Sequence, residues 1–93
     1  GAIVGKKLWR LSKTHQVLCI THLPPLASYG NTHFKVEKEV DGKRTRTTVY
    51  PLDDNSRVEE IVDMLGGQDK SGRETALSLL SMAANDKKVG AAV

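Results

Sequence analysis

One cysteine, four aromatic side chains and three prolines among 93 residues set the first limits on this chain. A lone Cys19 cannot close an internal disulfide, so no disulfide scaffold is available, and its place in an apolar run marks it as a small core residue. That run, Val17-Leu18-Cys19-Ile20, is the longest uninterrupted apolar stretch, far below the roughly 20 residues of a bilayer-crossing helix. The aromatic residues are too few and too dispersed for a base-stacking platform. No phosphate loop is present, because Gly66-Gly67-Gln68-Asp69-Lys70-Ser71 lacks the first glycine and the Gly-Lys step. No apolar strand ends in Asp-Glu to hold magnesium and activate water, and no serine or cysteine has an evident base beside it. Three histidines and one cysteine fit no zinc spacing, so no bound metal is expected. Alone, the chain is expected to catalyse nothing.

What is there suits one small domain: 39% apolar residues exceed the level of a disordered chain, and 93 residues do not suffice for two domains. The stretch Gly1 to Lys7 places its charge after a short apolar segment, the reverse of a secretory signal, so a reducing cytoplasmic setting is expected. Charge is lopsided. Residues 1 to 50 carry nine basic and three acidic side chains, and residues 51 to 93 carry five basic and eight acidic. A basic half can attract polyanions, although the plainer reading of such charge is a solvated surface.

Hydrophobic spacing predicts the elements. Val4, Leu8 and Leu11, with Ile3 beside them, suggest an amphipathic helix over residues 2 to 13 that lacks a capping side chain at its start. Residues 16 to 21 read as a strand apolar on both faces, as central strands of parallel sheets are. Pro24 and Pro25 break the chain before one or two helical turns ending at Gly30. Residues 33 to 40 and 44 to 52, joined by Asp41-Gly42, form a hairpin. A helix capped by Asn55 or Ser56 aligns Val58, Ile61, Val62 and Leu65 and stops at Gly66-Gly67. A last helix near residues 73 to 84 buries Ala76, Leu77, Leu80 and Ala83 or Ala84, and residues 87 to 93 read as a disordered tail.

The most informative stretch is Val17 to Pro24, which sets Thr21-His22 at the carboxyl end of an apolar strand, where open α/β sheets bind ligands. An imidazole there can donate to a phosphate oxygen, or it can simply bond the following turn. His15 and His33 read as surface residues. Asp53-Asp54 and Glu59-Glu60 adjoin a helix start, where acids complement the dipole.

Taken in order, several segments carry a family likeness: Val4-Gly5-Lys6-Lys7-Leu8, Gln16 to Pro24, His33-Phe34-Lys35-Val36, Val40-Asp41-Gly42, Arg57-Val58-Glu59-Glu60, Met64-Leu65-Gly66-Gly67 and Thr75-Ala76-Leu77. Across residues 2 to about 84 the chain resembles the C-terminal end of the RecN family of bacterial DNA repair proteins, SMC-like ATPases with ABC-type heads. The resemblance implies an α/β fold, the C-terminal part of a P-loop NTPase head, with one central apolar strand, a β-hairpin and three main helices. It makes residues 1 to 86 a head fragment. It also makes His22 the switch histidine of the H-loop, contacting the γ-phosphate, with Thr21 beside it at the nucleotide. Where the family usually has Gln after Leu-Pro, Pro25 stands here, which bears on any polar contact from that position.

For the intact protein the resemblance implies ATP and Mg2+ as cofactors, ATP hydrolysis, DNA double-strand break repair and recombination, and a cytoplasmic, nucleoid-associated setting. The N-terminal head lobe, a second head in a homodimer and DNA would be its partners, with no membrane. This chain alone lacks the Walker A, Walker B and signature motifs and is expected to bind neither cofactor. Lys6, Lys7, Arg10, Lys13, Lys43, Arg44 and Arg46 are the candidate DNA contacts. The alternative is a free-standing basic nucleic-acid-binding or protein-interaction module without catalysis. No signature supports it, since the interval from Gly66 to Gly72 is too long for a helix-turn-helix.

Overall fold

The structure, a computed structural model, describes residues 1–67 and 69–91. In chain order it comprises α1 (Ala2–Leu11), α2 (Pro24–Ala27), β1 (Phe34–Asp41), β2 (Arg44–Pro51), α3 (Asp54–Met64) and α4 (Lys70–Ala91). It is a mixed α/β arrangement whose sheet is a two-stranded antiparallel hairpin.

Helix α3 forms where its ends are chemically marked. Asp53 is the N-cap and its side chain accepts from Ser56 N at 2.8 Å, so the cap is Asp53 rather than Asn55 or Ser56. At the other end Gly66 takes φ +103°, Gly66 N donates to Asp63 O and Gly67 N to Val62 O, the paired bonds of a Schellman stop. Helix α4 begins in the same manner, with Asp69 Oδ1 accepting from Gly72 N at 2.6 Å. The core lies between α3 and α4: Ile61, Val62 and Ala76 are buried, with Ala27, Val58, Met64, Leu79 and Leu80 packed around them. Leu65 and Leu77, expected inside, are exposed.

Helix α4 continues well past residue 84, which corrects the expected tail for residues 87 to 91; residues 92 and 93 lie outside the described residues. Packing extends it, because Ala83 is buried and Gly90 lies against the ring of Trp9. Any Cβ at Gly90 would come within 2.8 Å of that ring, so α1 and α4 approach closely only because position 90 has no side chain. Lys13 Nζ caps the contact, 4.7 Å over the Trp9 ring and bonded to Gly90 O at 3.1 Å.

Helix α1 begins at Gly1 without a side-chain cap. It turns inward a different face from the expected one. Gly5 is buried, Leu8 and Trp9 are half-buried, and Val4 and Leu11 face solvent. The reason is steric: the Tyr29 ring sits where a side chain at position 5 would be, so the smallest residue marks the contact.

The hairpin matches its expectation closely. Gly42 takes φ +62° while Lys43 does not have a positive φ, the pattern of a type II′ turn. Register pairs Val36 with Val49 and Lys35 with Tyr50. Its polar face meets α3 through a Lys35–Glu60 ion pair at 2.8 Å, and within the hairpin Tyr50 Oη donates to Glu37 at 2.8 Å. Its apolar face, with Phe34, Val36, Val40 and Val49, stays open to solvent.

The expected central strand at residues 16 to 21 is not formed. Leu18 is 86% exposed, Ile20 is 97% exposed, and Cys19 is exposed as well, not a core residue. A strand exists by its ladder bonds, and the two strands among the described residues pair only with each other. The segment therefore stands as apolar chain without a neighbour to bond.

Candidate functional site

His22 is exposed, at the end of the unpaired apolar segment and just ahead of α2. Thr21 beside it is half-buried, and its Oγ1 accepts from Leu23 N at 3.0 Å, a local turn that fixes the chain on both sides of His22. Leu23 is the extended N-cap residue of α2, and Pro24 and Pro25 occupy its first positions, where a missing N–H costs nothing. The residue Pro25 thus starts a helix instead of breaking one.

A four-residue helix is not self-supporting, since nucleating one turn is unfavourable. Four side chains hold it. Ser28 is buried and its Oγ donates to Pro24 O at 2.8 Å. Tyr29, 7% exposed, donates from Oη to Asp86 Oδ2 at 2.5 Å, and this bond first, burial second, raises its pKa above the ordinary value. Arg57 reaches across from α3, its Nη2 donating to Gly30 O at 2.7 Å, Ala27 O at 3.1 Å and Ser28 O at 3.2 Å. Lys87 from α4 adds bonds to Asn31 Oδ1 at 3.2 Å and Gly30 O at 3.4 Å. Burial lowers the pKa of both cations, and the Arg57 charge lowers that of Lys87 further.

None of Tyr29, Arg57 and Lys87 was singled out from the sequence as a site residue. The usable signal was helical phase: Arg57 stands four residues before buried Ile61, and Lys87 four after buried Ala83, which puts each cation on the inward face of its helix.

The seven candidate basic residues do not form one group. Lys6, Arg10 and Lys13 line an open cleft of about 390 Å³ between α1 and α4, with Asp86, Val89 and Gly90 on its other side. Lys7 is exposed on α1 outside that lining. Lys43, Arg44 and Arg46 are exposed at the hairpin turn, and neither strand packs against α1. His15 is exposed, near Thr14 Oγ1 at 2.8 Å. His33 is not the surface residue expected: its Nδ1 is buried without a partner, and burial, then the Arg57 charge, lowers its pKa against an opposing pull from Glu60. Among the described residues, no group of three or more His, Cys, Asp or Glu side chains is placed to hold a metal ion, and no helix is long and apolar enough to cross a membrane.

No protein-family model matches the chain. Among curated proteins it is 52% identical, over 66 residues and 70% of its length, to the DNA repair protein RecN of Xylella fastidiosa (strain Temecula1). It is 40% identical over 86 residues, 90% of its length, to the protein of that name in Mycobacterium tuberculosis (strain H37Rv), and 41% identical over 67 residues, 72% of its length, to that of Vibrio cholerae. The chain spans only 12% to 14% of the length of these relatives.

Proposed function

We propose, from the premise that this chain belongs to the RecN family of DNA repair proteins as a C-terminal segment, that it forms part of an ATPase head and presents His22 to the γ-phosphate of ATP. The observation that carries this reading is the exposed imidazole on a loop whose following turn is braced from two other helices. An exposed ring there can donate to a phosphoryl oxygen, while Thr21 is occupied in shaping the loop. Phosphoryl transfer is catalysed chiefly by positioned donors and charge, so His22 would stabilise the charge that builds up on the transferred group.

His22, together with the hydroxyl proton that Thr21 can still donate, would form one edge of a nucleotide site. Mg2+ does not fit this chain's described side chains, among which no three of His, Cys, Asp or Glu are grouped to hold a metal ion. By the same reading the phosphate loop belongs to the N-terminal head lobe, and ATP lies between two heads. The apolar segment Val17 to Ile20 is then the strand that the N-terminal lobe's sheet takes up, which accounts for its exposure. DNA is the partner of the intact protein, with the basic side chains of α1 and of the hairpin turn as two separate candidate contacts.

The test is His22→Ala in the full-length protein. Loss of one donor aimed at developing charge is expected to lower kcat about 100-fold while ATP binding stays nearly constant. Unchanged turnover removes the role assigned to His22.

A further inference from the structure

We infer that Arg57, seconded by Lys87, is the positioning residue for the His22 loop, holding it through the carbonyl end of α2; this rests on the reading of His22 given above. A single helical turn leaves its last carbonyls without intrahelical partners. Here the carbonyl of Ala27, which also accepts from Gly30 N, and those of Ser28 and Gly30 just beyond the helix converge on one nitrogen, Arg57 Nη2. That nitrogen has two hydrogens for three acceptors, so at least one hydrogen is shared, and the three carbonyls are drawn to a single point. The planar guanidinium fixes this convergence in direction as well as in distance, which an ammonium cannot do.

Arg57 makes this contact at a cost to the fold. It forms no salt bridge among the described residues, and its Nε is buried without a hydrogen-bond partner. A half-buried cation that bonds carbonyls and no carboxylate, with Asp54 acting on it through charge alone, is a poor device for stability. It is a good device for orientation, because the carbonyl end of the turn carries partial negative charge and cannot slide without losing all three bonds. The bracing passes to His22 through covalent geometry: Ala27 N donates to Leu23 O and Ser28 N to Pro24 O, the prolines restrict the turn, and the Thr21 bond to Leu23 N closes the loop. On its opposite side α2 rests on α1, where Gly5 meets the ring of Tyr29 and Leu26. One end of the short turn is thereby held by three helices, and the other carries the imidazole.

The experiment is steady-state ATP turnover of the full-length protein carrying Arg57→Gln, Arg57→Lys and Lys87→Met, each with His22 intact and with His22→Ala. Displacing a catalytic group by about 1 Å can cost up to 100-fold, and a loosened clamp is expected to cost about 10-fold in kcat with KM for ATP unchanged. Arg57→Lys is expected to recover a part of this, and Lys87→Met to lose about 3-fold, in keeping with its longer bonds. On the His22→Ala background neither Arg57→Gln nor Lys87→Met should lower kcat further, which a merely structural role would not produce. Parental kcat in Arg57→Gln and Lys87→Met, or equal fractional losses with and without His22, would overturn the inference. Full turnover in His22→Ala alone would instead sink the reading of His22, and the inference with it. Should Arg57→Gln fail to fold, the Lys87→Met pair carries the same comparison.

Discussion

Substitution of Gly5 by alanine sets two effects of opposite sign against each other. In an exposed helix interior the change stabilises by about 0.5–1 kcal/mol, because alanine restricts the unfolded chain and is the better helix former. At position 5 the added Cβ would lie 2.6 Å from Tyr29 Cδ2, 3.1 Å from Tyr29 Cγ and 3.3 Å from Leu26 Cδ1. The ring cannot simply withdraw, since it is buried and its hydroxyl is bonded to Asp86. Overpacking of this kind costs roughly 1–3 kcal/mol. The clash should win, leaving Gly5→Ala less stable by about 1 kcal/mol, and Gly5→Val, β-branched and bulkier, should lose more. Urea unfolding followed by far-ultraviolet circular dichroism measures this directly. With a slope of roughly 1–2 kcal/mol per molar for a chain of this size, the midpoint should fall by about 0.5–1 M at unchanged slope. A midpoint equal to or above that of the parent chain would refute the packing assigned to α1 and Tyr29.

Two further outcomes are expected. In the intact protein the amides of residues 17 to 20 should exchange with solvent far more slowly than in this chain alone; equal exchange in both would count against the strand proposed for the missing sheet. The affinity of the intact protein for DNA should fall steeply with salt, and reversing Lys6 and Arg10, or Arg44 and Arg46, should flatten that dependence by about one unit of slope per lost phosphate contact. A salt-insensitive affinity would remove both basic groups from the DNA surface.

What the sequence disclosed depended on how local the cause was. The hairpin was legible because Asp41-Gly42 and the flanking alternation are complete within the segment, and Gly42 does take the positive φ that the turn requires. The inner faces of α3 and α4 followed from spacing at Ile61, Val62, Ala76 and Ala83. Residues 16 to 21 are composed like a central strand, but pairing is a property of two segments, and no strand among the described residues pairs with this one. Helix α4 was read too short because Lys87 and Lys88 resemble a solvated end, whereas the packing of Gly90 on Trp9 lies 81 positions apart in sequence and leaves no local trace. At the proposed site, the sequence singles out Thr21-His22 by position in the motif. It does not single out their support, because nothing local to Arg57 or Lys87 shows that each is turned toward the carbonyl end of a turn about 30 and 57 positions away.

The apposition of Trp9 and Gly90 has an optical consequence. Trp9 is the chain's sole tryptophan, and its indole lies at the seam of α1 and α4 beneath the ammonium of Lys13. Its emission is therefore a reporter of that seam alone: separation of the two helices would wet the ring and shift its fluorescence to the red, while melting of the distant hairpin would leave the signal untouched.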